Sequence, residues 1–470
     1  MRGPADARAQ RARRARRRII AGGVTASALL GWGASEAAAA PAPDLRQASS
    51  APVEAGVTLS AVSASGLSVG ATALGNVIAA ETVGYTSRDS QLSTGPVNAG
   101  VVLNDVQASG DSVVQAQAGA NSEQIVAPQG GVLQSVQVAS DGSATPTSAR
   151  VQIGAPAAPA QSFGGSLAAS ASAFSNLVSF DASNGQVSTG AGAIDQSSSA
   201  SVAAALTIAN ATFNGPVTGS ATAAGDEIDL DQAAAAGGSG TIGELNATQA
   251  NTGAETASAS LTGVRTSATG NAFATSAVGN VLNAGDVVGP AALAQTNGGP
   301  QTARTELDGA RLNGAFTVQA VGNQAILANN SAIGLHQQND ASQVAEVVSN
   351  AGLVLNGATT MQAVALGNNF SGTIAPTELA GQGQQVNSGF QTASISLTGA
   401  TSTGAGPISL TAVAIGNAAT LSAPNSGFVQ ANYTGGLAAQ TATVTLANCT
   451  FSNGSAVSTT AQGNLITIRH

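Results

Sequence analysis

Apolar and polar residues alternate one for one in short runs along this chain. TASISL puts Ala393, Ile395 and Leu397 on one face and Thr392, Ser394 and Ser396 on the other. TATVTL repeats the arrangement, with Ala442, Val444 and Leu446 against Thr441, Thr443 and Thr445. A period of two is that of a β-strand with one buried face. Abundant alanine would also suit a helix. β-Branched Thr and Val, scattered Gly and the lack of opposite charges at helical spacing oppose one. Gly, Asn and Pro punctuate the chain about every ten residues, as strand–turn–strand requires.

The strands belong to a longer phrase, cleanest from Gln391 to Leu446: a strand, a Thr-Gly-Ala turn, a Gly-Asn pair, a Gln-x-Asn loop, and the opening strand again. The Gly-Asn mark recurs as Gly75-Asn76, Gly279-Asn280, Gly322-Asn323, Gly367-Asn368, Gly416-Asn417 and Gly463-Asn464. Degenerate copies end at Asn121, Asn176 and Asp226, and the nine second members lie 45, 55, 50, 54, 43, 45, 49 and 47 residues apart. A second ruler, the residue closing the strand before its turn, gives Leu59, Leu103, Ile153, Ile208, Leu261, Leu312, Leu355, Leu397 and Leu446. Gln-x-Asn gives Gln249/Asn251, Gln295/Asn297, Gln337/Asn339, Gln385/Asn387 and Gln430/Asn432. A Gln or Glu follows each within ten residues: Glu255, Gln301, Gln343, Gln391 and Gln440. Rulers that share a period predict about nine repeats of ~48 residues, regular over 226–470 and degenerate over 100–225.

One such repeat buries mostly Ala with a few Leu, Val or Ile. A buried methylene is worth ~0.8 kcal/mol, against ~1–2 kcal/mol to order each backbone residue. A lone repeat does not fold on those terms, whereas stacked repeats share strand hydrogen bonds and a continuous interior. The predicted fold is therefore all-β, a repetitive parallel β-solenoid (β-helix) over 56–470. Each repeat is expected to make about two rungs of roughly 22–25 residues. In such a stack the recurrent Asn would form an amide ladder, and the Gly before it would supply a tight or left-handed turn.

Composition adds an address. Eight of the 15 basic residues, all Arg, lie within the first eighteen positions, ahead of the apolar run from Ile19 to Ala34 and a small-residue stretch ending at Ala40. This has the form of a secretory signal peptide over 1–40, cleaved near Ala39. A Pro/Ala/Ser-rich linker is expected over 41–55. Without the leader, seven basic and 22 acidic residues remain, net −15, which opposes nucleic-acid binding. No later apolar run approaches the ~20 residues of a spanning helix.

Candidate chemistry is sparse. Cys449 suits either a packed small hydrophobe or an intermolecular disulfide. The two histidines are His336, placed in a Gln-x-Asn loop, and the last residue, His470. Neither points to a catalytic or metal site, and no cofactor is expected. In GDEIDLD, Glu227, Asp229 and Asp231 would share one strand face, with Asp226 in the place of a ladder Asn. A solvated acidic face and a Ca2+ site are both conceivable there, though a calcium β-roll spacing is missing. Solenoid polysaccharide lyases and hydrolases use paired carboxylates and aromatic platforms, and Trp32 is the one tryptophan, inside the leader. The expectation is a structural protein with no enzymatic role. A non-adhesive repeat of S-layer or phage-tail type is the alternative.

The recurrent ALGN, AVGN and AIGN segments of this Ala/Gly/Thr/Asn-rich chain resemble the holdfast anchor protein HfaD family of stalked alphaproteobacteria over roughly 56–470. There is also a more distant similarity to curlin repeats. The resemblance implies export to the cell surface or outer membrane through a curli-type secretion lipoprotein. It further implies companion anchor proteins, tethering of adhesive holdfast polysaccharide to the envelope, and self-association into amyloid-like fibres.

Overall fold

The computed structural model describes residues 44–140, 146–155, 160–182, 185–230, 240–350, 352–374, 383–421, 428–433 and 439–468. The expected leader lies outside them, as do Asp231 and His470. Among the described residues there is no helix, and the strands join in one parallel β-solenoid.

Each coil of the solenoid has three segments. In the second coil these are Tyr85–Ser93, Val97–Ala108 and Ser112–Val126, called here the glutamine, middle and corner segments. The first coil is Asp44–Ser49, Val53–Ala64 and Leu67–Glu81, and each of its segments pairs in parallel with the matching segment of the second. The last coil is Phe428–Asn432, Gln440–Ala447 and Ser455–Ile468. Nine coils are present among the described residues, one for each sequence repeat.

This corrects the expected two rungs per repeat. Asn76 pairs with Asn121, a full repeat away, and among the described residues nothing within a repeat pairs with itself in that way. A repeat of ~48 residues divides into two rungs only if each rung is roughly 22–25 residues long. Here the whole repeat makes the three sides of one wider coil, in which a corner segment is long enough to line two interiors. The expected linker is also corrected, since Asp44–Ser49 and Val53–Ala64 are already strands of the first coil. Gln47 stands in register with Gln91, so a sequence rich in Pro and Ser still carries the column that docks it.

Burial explains the two interiors. Along Ile408–Leu421, Ile408, Leu410, Ala412 and Ala414 are buried on one parity, and Asn417, Ala419 and Leu421 on the other. The parity changes at Ile415-Gly416. Before the change, corner residues pack with the middle segment in one apolar cluster that includes Leu397, Leu410 and Phe316. After it, they pack with the glutamine segment in a second cluster that includes Leu421, Phe370 and Leu335. Stacked phenylalanines link coils in both, Phe273 over Phe316 of the next coil at 5.5 Å between centroids and Phe370 by Phe428, which opens the coil after next, at 5.9 Å.

The left-handed kink of each coil falls toward the end of the middle segment, inside the strand in the first two coils and after it in the last. Ala61, Asp105, Gly154, Asn210, Gly263, Gly309, Gly352, Gly399 and Asn448 all have positive φ, between 49° and 73°. Glycine or a short Asn or Asp suits this conformation best, and most coils use one. The second sequence ruler slips here. Leu261 pairs with Leu307, and the same column continues through Ser349 to Leu397. Leu312 and Leu355 pair with each other in a different column, beyond the kink. ELDGA at 306–310 is the true copy of the strand-and-turn phrase, and RLNGA at 311–315 only resembles it.

Candidate functional site in the buried amide ladders

Where the three segments meet, between the two apolar clusters, the interior is polar. The Gly-Asn residues form the first ladder. Asn76 Nδ2 donates to Asn121 Oδ1 at 2.8 Å, and Asn121 to Asn176 at 2.7 Å. Asn176 donates to Asp226 Oδ1 at 2.7 Å. Beyond a break, Asn280 donates to Asn323, Asn323 to Asn368, Asn368 to Asn417 and Asn417 to Asn464, at 2.7–2.8 Å. The second Nδ2 hydrogen goes to a backbone carbonyl of the glutamine segment, Leu92 O for Asn76 and Ala431 O for Asn417. A carbonyl only accepts, so this bond fixes which way each amide faces and gives the ladder one polarity.

The glycines before these asparagines are not left-handed: Gly75, Gly279, Gly322, Gly367, Gly416 and Gly463 all have ordinary φ and lie inside strands. Their lack of a side chain serves close approach instead. A Cβ on Gly75 would stand 2.6 Å from Ala120 O, and one on Gly416 would stand 2.6 Å from Gly463 O and 2.7 Å from Asn432 Oδ1. At Gly279, Gly322 and Gly367 it would collide with Asn297, Asn339 and Asn387 respectively. Glycine is there so that a second ladder can press against the strand.

That second ladder is built from Gln-x-Asn, which lies at the end of the glutamine strand, not in a loop. Two residues apart on a strand, Gln and Asn both point inward. Asn251 donates to Asn297, Asn297 to Asn339, Asn339 to Asn387 and Asn387 to Asn432, at 2.7–3.0 Å. The glutamines run the opposite way. Gln430 Nε2 donates to Gln385 Oε1 at 2.8 Å, and the series passes through Gln337, Gln295, Gln249, Gln196, Gln137 and Gln91 to Gln47. It is unbroken through all nine coils. The Gln-x-Asn motif marks only its second half, from Gln249 to Gln430. The signal in the first half is a Gln one residue before Ala, Ser, Val or Leu at a strand end, too common a pairing to stand out. A fourth ladder, from Gln440 through Gln391, Gln343 and Gln301, ends on Glu255.

Carboxylates interrupt this amide interior at three places. Asp226 is fully buried, and burial pushes its pKa up to about 8, the bond from Asn176 pulling the other way. Glu255 is buried and raised for the same first cause, against bonds from Gln301 and Asn251, with Asp226 adding repulsion. In the second coil Glu123 is also raised, by burial and then by Asp89. Ser135 donates to Glu123 Oε2, while Tyr85 and Ser87 donate to Asp89. Neutral, protonated acids fit such an interior.

The other candidates lie apart. His336 is exposed on the outer face of a strand between buried Leu335 and Gln337, so its expected loop setting is corrected. Glu227 and Asp229 face outward and half-buried while Asp226 faces in, with Asn283 donating to Asp229. Cys449 is half-buried against the first apolar cluster, with Sγ 3.3 Å from Leu397 O. Among the described residues no three His, Cys, Asp or Glu side chains group as metal ligands would. No family model, curated protein or solved structure matches this chain.

Proposed function

We propose that this chain is an exported structural rod of the cell surface that ties adhesive polysaccharide to the envelope, with companion anchor proteins and a secretion lipoprotein as its partners. The observation that carries the reading is the glutamine ladder from Gln47 to Gln430, continuous through every coil. Pull along the axis is then shared among interior side-chain bonds as well as strand pairing, which suits a tether.

The outer face supports contact with a hydroxyl-rich polymer. Thr392, Ser394 and Ser396 lie in register with Thr441, Thr443 and Thr445 on the next coil, a grid of hydroxyls that can donate and accept. Deleting the gene and scoring surface attachment tests the reading. The expected result is normal polysaccharide synthesis with the adhesive material shed into the medium. Deletion cells that hold it as firmly as their parent would leave a non-adhesive structural role instead.

A further inference from the structure

We infer that the two ends of the solenoid are made for each other, so that a second copy of this chain docks head to tail and continues the stack. The inference rests on the structural-rod reading and names the rod's own partner.

Ladder polarity carries the argument. Every glutamine donates toward the N-terminal end, so Gln430 in the last coil has an acceptor left over; its Oε1 is buried and without a partner. At the opposite end Gln47 gives an Nε2 hydrogen to Val77 O, and a primary amide carries a second one. The asparagines run the other way. Asn464 accepts from Asn417 and has its Nδ2 to offer onward, while Asn76 donates to Asn121 and Leu92 O and has an acceptor to offer backward. Joining a last coil to a first coil satisfies both series at once. Joining two last coils would set glutamine acceptor against glutamine acceptor.

The end coils also match in shape and in what they leave uncovered. Val-Thr-Leu comes shortly before the kink of the middle segment at 57–59 and again at 444–446, in the same columns, and Gly75-Asn76 answers Gly463-Asn464. Leu446 and Val457 are 40% and 50% exposed, whereas Leu397 and Leu410, one coil inward in the same columns, are fully buried. Among the described residues the last coil thus presents an unpaired parallel strand edge backed by apolar side chains, a template for another strand set. A contact between unlike ends whose rotation does not close gives a filament.

The test uses the purified chain, without polysaccharide, so that it can fail while the tethering role stands. Raising its concentration is expected to give unbranched fibres with an axial repeat of ~43 Å, nine coils at ~4.8 Å each. Leu446→Lys/Val457→Lys blocks one end and Leu59→Lys/Val69→Lys blocks the other. Each is expected to stay monomeric with its strand circular dichroism retained, and Ile466→Lys replaces the first pair if that one folds poorly. Mixed in equal amounts, the two blocked chains should give dimers and nothing larger, while Thr443→Lys on the outer face should still form fibres. A chain that stays monomeric at every concentration overturns the inference. So do fibres from either blocked chain alone, or a mixture that stays monomeric.

Discussion

Asp226 stands in register against Asn280, and Oδ2 of the one and Oδ1 of the other are both buried without a hydrogen-bond partner. At every other step of this ladder an amide nitrogen meets a side-chain oxygen, a carboxylate oxygen from Asn176 to Asp226 and an amide oxygen at the rest. A proton on Asp226 would supply the missing donor.

Stability should therefore depend on pH in the sense opposite to that of a salt-bridged carboxylate. With its folded pKa raised from 3.8 to about 8, Asp226 holds a proton in the folded chain that the unfolded chain releases. Its contribution is full below the unfolded value and is lost as pH rises toward 8, by at most ~1.4 kcal/mol per pH unit. Glu255 and Glu123 act in the same direction. Asp226→Asn restores the donor, so the variant should melt higher than the parent above pH 8 and lose less stability between pH 4 and 8. Superimposable melting curves across that range would contradict the proton's place in the ladder.

The reverse substitution, Asn417→Asp, creates a second break. Its oxygen would replace the nitrogen that now serves Asn464 Oδ1 and Ala431 O. Leaving buried acceptors opposed costs ~1–3 kcal/mol, read as a lower midpoint of denaturant unfolding. The loss should shrink in acid, where the new carboxyl is protonated.

Glu255 ends the fourth ladder, with Oε1 buried and unpartnered. Glu255→Gln is expected to raise stability at neutral pH by ~1 kcal/mol, because Gln301 already places its own Nε2 2.6 Å from Gly299 O in the next coil. A destabilised variant, measured by chemical unfolding, would mean that Glu255 is held by something other than the amide pattern.

Two glycines separate the roles of close approach and left-handed backbone. At Gly399, φ is 65° and no atom lies within 4 Å of a new Cβ, so Gly399→Ala should cost ~1–2 kcal/mol from backbone strain alone. At Gly367 the φ is ordinary, but the methyl would strike Gly416 O and Asn387 Oδ1. Gly367→Ala should cost more than Gly399→Ala in the same thermal unfolding assay. The opposite order would restore a turn role to the Gly-Asn glycines.

Much of this was legible in the chain. The beat of the Gly-Asn mark fixes the inter-coil register, from Asn76 against Asn121 to Asn417 against Asn464, because a side chain that bonds its own equivalent tolerates no slip. The number of coils per repeat was not legible. Alternation tells which residues face inward, but it does not reveal that Gly416 turns a strand from one interior to another. Leu312 misled for a related reason, since RLNGA and ELDGA are adjacent and both end an apolar alternation at glycine. Only the pairing of Leu261 with Leu307 tells them apart. Glu255 was found as a Gln substitute, but its burial, and hence its charge state, depends on the neighbouring coils.

One coil per repeat is the central claim, and distances along one outer column measure it. Gly56, Gly100, Arg150, Ala205, Ser258, Arg304, Glu346, Ser394 and Thr443 pair in series, one in each coil. With Cys449 replaced by Ala, spin labels at Thr443 and in turn at Ser258, Arg150 and Gly56 should lie ~19, ~29 and ~38 Å apart, as ~4.8 Å per coil requires. Separations near twice those values would mean two turns of chain in each repeat and would contradict the account.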